Sequence, residues 1–396
     1  MREREILDKL QSELVIPDVV QKRAELALDR IKKEQKKKGK VMKMGEKRRK
    51  RKSMMVLIAA AVFVLGTMTV CAAYLHWSRG IEAQLQATEE QKQMLEEEQY
   101  TAPLQNEKGS EAGNNSVTDA GITITPLQSI VDSRFAWLAF QVEGYPLEEG
   151  KEPCFNDVTV VVDDNVDAPI SYTSSFYNGI HLNEEGKPVY EDGSPADGEI
   201  FINEDGRMEY IIMIDATQYG SLAGKNIHVE FTDIGTVYKA AYTPDIEAVW
   251  SFDFTLKGSD KVRTLTLSDP LGDTGATVIY AEISPISIYV RYDFPLQIET
   301  VEGVHNGEPI TSSTFVEAPP VTGVRLKDGS FQGYITNGGS SGYLDDDENH
   351  EVYTCSFMLN RILDTDQVDA LLFRKAWPEE KRAMTEEDVY IVPVTE

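Results

Sequence analysis

The chain has 396 residues, with 39 Lys and Arg against 66 Asp and Glu, and a net charge of −27 at pH 7. This length is sufficient for two domains of ordinary size beside a tail, and the strong negative charge argues against a nucleic-acid partner. Three cysteines are too few for a disulfide-stabilised exported domain, and no zinc-binding spacing is present.

Residues 1–53 are predicted to form a cytoplasmic tail with two amphipathic helices, one over residues 2–14 and one from Pro17 to about Lys38. Each helix carries one apolar stripe. The stripes consist of Ile6, Leu10 and Leu14 on the first helix and of Val20, Ala27 and Ile31 on the second. Helices this short cannot bury a core alone. They either stay loosely ordered or bind a partner protein by laying the stripes into its groove.

A transmembrane helix is predicted over residues 54–77, because this run contains no charged residue and exceeds the roughly 20 apolar residues that a membrane crossing needs. The flanking residues are Arg48, Arg49, Lys50, Arg51 and Lys52 before the run, and Tyr74 and Trp77 at its far end. Basic residues stay on the cytoplasmic side and attract anionic lipid, and aromatic rings lie at headgroup level. We therefore expect a single-pass protein of the cell membrane with its N-terminus in the cytoplasm and its C-terminus outside.

A cleaved signal peptide is the alternative interpretation of this run. Signal peptides have a short basic region and an apolar core of roughly 7–15 residues, whereas here 53 residues precede a longer run. The charge distribution supports a retained anchor: residues 1–53 hold 19 basic and 9 acidic residues, and residues 54–396 hold 20 basic and 57 acidic residues. The anchor thus separates a basic segment from a strongly acidic one.

Residues 78–120 are predicted to form a short helical stalk followed by a flexible linker. The stretch Ile81–Gln99 has helical periodicity, with Ile81, Leu85 and Leu95 on about one side, and we expect it to continue the membrane-spanning helix. Residues 106–119 are rich in Gly, Asn, Ser and Glu, a composition typical of a linker.

From residue 121 onward, the sequence predicts a mainly β fold of two antiparallel immunoglobulin-like sandwiches, over residues 121–243 and 244–396. Short strands that alternate polar and apolar residues, separated by turn clusters, are typical of such sandwiches. The segment Phe135–Val142 is apolar on both faces, so we expect a buried central strand there. Neither unit carries the Cys–Trp–Cys signature of antibody domains.

Candidate chemical sites are few. Residues 338–342 match GxSxG, but no helix follows, so we expect a loop instead of a nucleophile elbow. The acidic residues 345–348 are either a solvated loop or a calcium site. Single, scattered histidines and the absence of phosphate-loop or dinucleotide motifs predict no cofactor, no catalytic site and no metal site. We expect Cys154 and Cys355 to be unpaired.

Several segments together resemble the domain-of-unknown-function family four-one-seven-nine, single-pass membrane proteins of Gram-positive anaerobes. They are Ile16-Pro-Asp-Val-Val, the basic run with the anchor, Gly121-Ile-Thr-Ile-Thr, Trp250-Ser-Phe-Asp-Phe and Ser284-Pro-Ile-Ser-Ile. The resemblance implies an immunoglobulin-like C-terminal half and an anti-sigma-factor-like role, in which the tail holds an extracytoplasmic-function sigma factor. The tail has no His or Cys, so it is not of the zinc-bearing kind.

Two functions remain open from the sequence. The first is a membrane regulator with an outer β-sandwich sensor for an unknown extracellular ligand and a sigma-factor-binding tail. The second is an anchored surface or envelope protein without a cytoplasmic partner. An extracellular hydrolase is the least supported alternative, because no residue pattern suggests its catalytic groups.

Overall fold

The computed structural model describes residues 77–107, 115–148, 150–183, 187–203, 205–239, 241–305, 308–344, 351–376 and 382–394. The predicted tail and the predicted anchor, apart from Trp77, lie outside these residues. Within them, no helix is long and apolar enough to cross a membrane. From residue 73 onward the chain groups as one compact unit.

Two short helices precede most of the strands: α1, Arg79–Gln84, and α2, Glu89–Glu97. Both begin at a hydroxyl cap. The Ser78 hydroxyl accepts a hydrogen bond from the Ile81 amide, and Thr88 forms a capping box with Gln91. The helical periodicity of this region is therefore confirmed. The structure differs from the predicted stalk, however, because Ile81, Leu85 and Leu95 are all fully buried against the β-domain.

The first half of the domain contains two antiparallel sheets that face each other. One has the order β1-β3-β4-β9-β6, with β2 on β3, and the other has the order β11-β10-β5; β7 and β8 form a small separate hairpin. The strands are β1 (Thr101–Pro103), β2 (Val117–Asp119), β3 (Ile122–Val131), β4 (Phe135–Glu143), β5 (Glu152–Val162), β6 (Ser171–Phe176), β7 (Ile180–Leu182), β8 (Pro188–Tyr190), β9 (Met208–Asp215), β10 (Asn226–Tyr238) and β11 (Ala241–Thr255).

The core of this first sandwich lies between its two sheets. Phe140 of β4 contacts Phe231 of β10, with ring centroids 5.0 Å apart, and the Trp250 indole donates a 3.1 Å hydrogen bond to the Ile122 carbonyl. Burial of each large apolar side chain is worth about 1.5–3 kcal/mol. β4 is paired on both edges, with β3 and β9, so the predicted central strand is confirmed.

The second half repeats this architecture with sheets of order β12-β13-β14-β20-β19 and β18-β17-β21-β22, while β15 and β16 form a two-stranded ribbon. Tyr292, Tyr353 and Phe373 pack in its core. The strands are β12 (Arg263–Pro270), β13 (Thr277–Ile283), β14 (Ser287–Asp293), β15 (Ile298–His305), β16 (Glu308–Phe315), β17 (Val321–Leu326), β18 (Phe331–Gln332), β19 (Thr336–Tyr343), β20 (Val352–Leu359), β21 (Val368–Arg374) and β22 (Val389–Pro393), with 3-10 turns at Thr365–Gln367 and Glu386–Asp388.

The boundary between the sandwiches differs from the predicted division at residues 243 and 244. β11 crosses this division and pairs along its length with β10, so that Trp250 lies opposite Phe231. The first core therefore extends to Leu256, and the second begins at Leu265. An alternating pattern identifies a strand but not its partner, which is why the sequence places this strand in the wrong unit.

A third apolar cluster lies on the outer face of the β4 sheet. Its members come from the segment that contains α1 and α2, from the first sandwich, and from strand β20 and two turns of the second sandwich. They are Trp77, Ile81, Ala83, Leu85, Leu95, Tyr100, Ile130, Phe135, Trp137, Ala139, Tyr177, Ile211, Ile286, Met358 and Ile362. This cluster explains why β4 is apolar on both faces: one face meets the first core, and the other meets the helices.

Candidate functional site

Residues 77–86, here called the strap, are the first described residues and belong to the core of the domain. The Trp77 side chain is 9% exposed, and Ser78 is completely buried. The Trp77 indole donates a 3.2 Å hydrogen bond to Glu96 of α2, and the Lys92 ammonium lies 5.7 Å from the centre of the Trp77 ring. The last residue of the predicted anchor, Trp77, is therefore part of the folded domain.

The strap is held on the first sandwich by Glu209 of β9. One carboxylate oxygen accepts hydrogen bonds from the Ser78 hydroxyl (2.7 Å) and the Gly80 amide (2.9 Å), and the other accepts from the Arg79 amide (3.2 Å). Glu209 thereby satisfies amide groups that the first turn of a helix cannot satisfy internally. Residues 208, 210 and 212 point into the first core, so Glu209 and Ile211 lie on the opposite face, toward the strap.

Gly80 allows the close approach of the strap to this sheet. A Cβ atom at Gly80 would lie 2.6 Å from the Ile211 Cδ1 atom and 2.9 Å from the Tyr177 ring. Carbon atoms pack at about 3.5–4.0 Å. A larger side chain at position 80 would therefore push α1 away from the sheet.

The strap also contacts the second sandwich. The Ile362 amide donates to the Leu85 carbonyl (3.2 Å), and the Gln91 side-chain amide donates to the Ile362 carbonyl (2.7 Å). Gln86 connects both halves, because its side-chain amide donates to the Leu182 carbonyl (2.9 Å) and to the Asn360 carbonyl (3.3 Å). Gln86 has a positive φ of 47°, a conformation that costs a non-glycine residue about 1 kcal/mol or more.

A polar cluster lies beside α1. The Arg79 Nε atom is 2.7 Å from a carboxylate oxygen of Glu191, and its guanidinium lies 5.2 Å from the centre of the Tyr177 ring. Burial raises the pKa of the Tyr177 phenol. Burial also raises the pKa of Glu191, although Arg79 opposes this effect. Desolvation is the main cause of both shifts, so the cluster is explained by the packing of these side chains around an ion pair.

A buried carboxylate, Asp132, connects the two sandwiches, and we call its contacts the joint. Asp132 lies in the turn between β3 and β4 and is fully buried. It accepts hydrogen bonds from the Ser284 and Ser287 hydroxyls, both at 2.5 Å, and from the Arg134 and Phe135 amides, both at 2.8 Å. Burial raises the pKa of Asp132, and these four hydrogen bonds oppose the rise.

Arg134, two residues after Asp132, adds an ion pair and an aromatic contact between the two sandwiches. The Arg134 guanidinium lies 2.7 Å from Glu282 of β13 and 3.5 Å from the centre of the Tyr289 ring. Two further hydrogen bonds cross between the sandwiches, from Ser340 to Asp215 at 2.8 Å and between the hydroxyls of Thr217 and Ser356 at 2.7 Å. The two sandwiches are thus connected by polar contacts as well as by the third apolar cluster.

The residues predicted as functional fall into two groups. The stripes of the tail, the basic run 48–52 and Tyr74 lie outside the described residues, so their roles stay predictions. Trp77 is described, and its position differs from the expected one: its ring packs between α2 and the β4 sheet, where apolar contacts and Glu96 satisfy it, instead of extending toward lipid headgroups.

The predicted chemical motifs occupy ordinary structural positions. Residues 338–342 belong to the edge strand β19 and not to a loop. His228 lies opposite Asp253 on the neighbouring strand, with 2.9 Å between Nδ1 and Oδ1.

Cys154 and Cys355 are free cysteines, and burial raises the pKa of Cys355 to about 12. The acidic residues 345–348 lie outside the described residues. Within the described part, no group of three His, Cys, Asp or Glu side chains could hold a metal ion.

Neither the strap nor the joint was predicted from the sequence. The segment Phe135–Val142 carried the available signal, because a strand that is apolar on both faces requires a second covering layer. The sequence does not say that residues 77–97 supply this layer. For Asp132, no local pattern distinguishes a buried carboxylate from a turn aspartate on the surface.

No family model and no curated protein matches the chain. Among solved structures, it is similar to the crystal structure of the conserved domain protein from Bacillus anthracis, with 12% sequence identity and a TM-score of 0.35, over 73% of this chain and 88% of that chain. A TM-score of this size carries no argument about function.

Proposed function

We propose that the protein is a single-pass membrane regulator, in which an outer β-domain is coupled to a cytoplasmic tail that binds an extracytoplasmic-function sigma factor. In this assignment the predicted transmembrane segment, residues 54–77, crosses the membrane as far as the buried Trp77, and residues 1–53 carry the partner-binding stripes. The outer domain, whose second sandwich we propose to be immunoglobulin-like, faces an unknown extracellular ligand. The resemblance to family four-one-seven-nine supports the same assignment.

The observation that carries this proposal is the position of Trp77. The uncharged run with a basic flank extends to residue 77, and Trp77 and Ser78 are buried in the folded domain. A domain connected this closely to an anchor is suited to transmit a change in its structure to the membrane segment. A domain that is merely displayed at the surface would not need such a connection.

Co-purification of sigma factors with the full-length chain tests this function. The tagged protein is extracted in mild detergent, and the sigma factors that it retains are identified by mass spectrometry. Leu10→Asp removes a buried contact worth about 1.5–3 kcal/mol and places a charge in the proposed interface, so it should weaken retention tenfold or more. Lys37→Ala, near the end of the second predicted helix and outside both stripes, is the control and should leave retention unchanged.

Two results would contradict the proposal. One is that the wild-type chain retains no sigma factor, and the other is that Leu10→Asp retains it as well as the wild type does. Either result would favour the anchored surface protein without a cytoplasmic partner.

A further inference from the structure

The strap and the joint contact two neighbouring segments of the second sandwich, one each. The strap binds residues 359–363 through Leu85 and Gln86, and Gln91 of α2 contacts the same segment. The joint binds residues 284–287 through Asp132. These two segments are hydrogen-bonded to each other, because the Leu359 amide donates to Ile286 (2.9 Å) and the Leu363 amide donates to Pro285 (2.8 Å).

These contacts form a closed circuit through the domain. From the strap, the circuit passes through residues 359–363 and 284–287 to Asp132 and then returns through the first sandwich to Glu209, which holds the start of the strap. Apolar contacts of the third cluster accompany the same route, through Ile286, Met358 and Ile362. The strap therefore cannot leave its site without breaking contacts to both sandwiches.

Gln86 is the residue of the circuit at which a substitution is most informative, because it bridges the two halves of the domain. Its side-chain amide bridges Leu182 of the first half and Asn360 of the second half. Its backbone has a positive φ, which glycine adopts without strain and glutamine does not. The retention of a strained conformation is explained if the bridging hydrogen bonds offset its cost.

We infer that the strap is a conformational coupling element. The docking of the strap on the domain and the packing of the two sandwiches against each other are gained and lost together, as one cooperative unit. A displacement of the second sandwich frees the strap, and release of the strap loosens the joint. Coupling of this kind is reciprocal, because both ends bias the same equilibrium. The coupling inside the domain does not depend on any cytoplasmic partner. Its use in signalling to the membrane rests on the proposed function.

Hydrogen exchange of the full-length chain in detergent, followed by mass spectrometry, tests the coupling. Gln86→Gly removes the bridge and at the same time relieves the positive φ, so the local backbone is not strained by the change. We expect hydrogen exchange to become roughly tenfold faster in residues 79–85 and also in residues 284–287 and 359–363. A tenfold change in the equilibrium between closed and open states corresponds to ~1.4 kcal/mol.

Gln99→Gly is the matched control. Gln99 also follows a helix and also has a positive φ, of 67°, but its side chain is exposed. This variant should leave exchange in all three segments unchanged. Equal effects of the two variants on exchange would overturn the inference. A Gln86→Gly effect confined to residues 79–85 would also overturn it, because the strap would then be coupled to the first sandwich alone.

Glu282→Ala tests the coupling from the other end. Glu282 pairs with Arg134 beside the joint and accepts a hydrogen bond from Tyr280, and neither of these partners belongs to the strap. Loss of this pair should accelerate exchange in residues 79–85, while exchange in the core strand β10 stays slow and shows that the domain remains folded. Unchanged exchange in residues 79–85 would overturn the inference. This result is independent of sigma-factor retention, so either proposal can fail alone.

Discussion

At the scale of single residues, Asp132 is the side chain on which the connection of the two sandwiches most depends. Its carboxylate accepts two hydroxyl and two amide hydrogen bonds in a fully buried site. A buried polar group left without its partner costs about 1–3 kcal/mol. Removal of this single acceptor would strand four donors at once, two of which belong to the second sandwich.

We predict that Asp132→Ala lowers the free energy of unfolding by about 3 kcal/mol or more, because all four donors lose their acceptor. Asp132→Asn should cost about 1 kcal/mol, since its carbonyl oxygen can still accept from the Arg134 and Phe135 amides and the serine hydroxyls can rotate to accept from its amide. Chemical denaturation of the soluble fragment 77–396 measures both values. Equal losses for the two variants would show that the carboxylate contacts do not matter.

We also predict that the difference in stability between the wild type and Asp132→Asn depends on pH. Burial raises the pKa of Asp132 in the folded state above its unfolded value, so the proton on this group stabilises the fold at low pH, and this stabilisation is lost as the pH rises through the folded pKa. Asp132→Asn has no such titration. The stability difference should therefore shift in favour of the wild type as the pH falls from 7 toward 4. A difference that is constant with pH would contradict the raised pKa.

At the scale of elements, the strands were largely predictable and their partners were not. The apolar segment Phe135–Val142 located β4 as a central strand, because this signal depends only on residues that are close in the sequence. The pairing of β11 with β10 and the packing of α1 on the β4 sheet depend on contacts between distant parts of the chain. The stripe formed by Ile81, Leu85 and Leu95 indicated a helix with one apolar side, but not that the β-domain buries this side.

The packing of α1 and α2 predicts where a soluble fragment can begin. A fragment that starts at Trp77 retains the third apolar cluster, whereas a fragment that starts at Gly121 loses α1, α2, β1 and β2 and exposes Phe135, Trp137 and Ile211. Exposure of each such side chain costs about 1.5–3 kcal/mol.

We therefore expect the fragment 77–396 to give a β-type circular dichroism spectrum and a cooperative thermal transition. The fragment 121–396 should aggregate or melt at a temperature at least 10 °C lower, since about 1 kcal/mol shifts the melting temperature of a domain of 150–250 residues by about 2–4 °C. Equal melting temperatures would show that the helices add nothing to the fold, as the predicted free stalk implied.

At the scale of the whole molecule, Trp77 belongs to the folded domain, and the charge of the chain changes sign across the apolar run that ends at this residue. The basic run of residues 48–52 should set the orientation of this segment, because positive residues near a membrane helix stay in the cytoplasm. The acidic outer region then faces the exterior, and the coupling proposed for the strap acts at the outer surface of the membrane.

Topology is the most direct test of this account. A reporter enzyme that is active only outside the cytoplasm is fused either after Glu396 of the full chain or after Lys43. We predict activity for the first fusion and none for the second, and mixed activity at Glu396 when Arg48, Arg49, Lys50, Arg51 and Lys52 are all replaced by neutral residues. Activity after Lys43 together with silence after Glu396 would place the β-domain inside the cell and contradict the account.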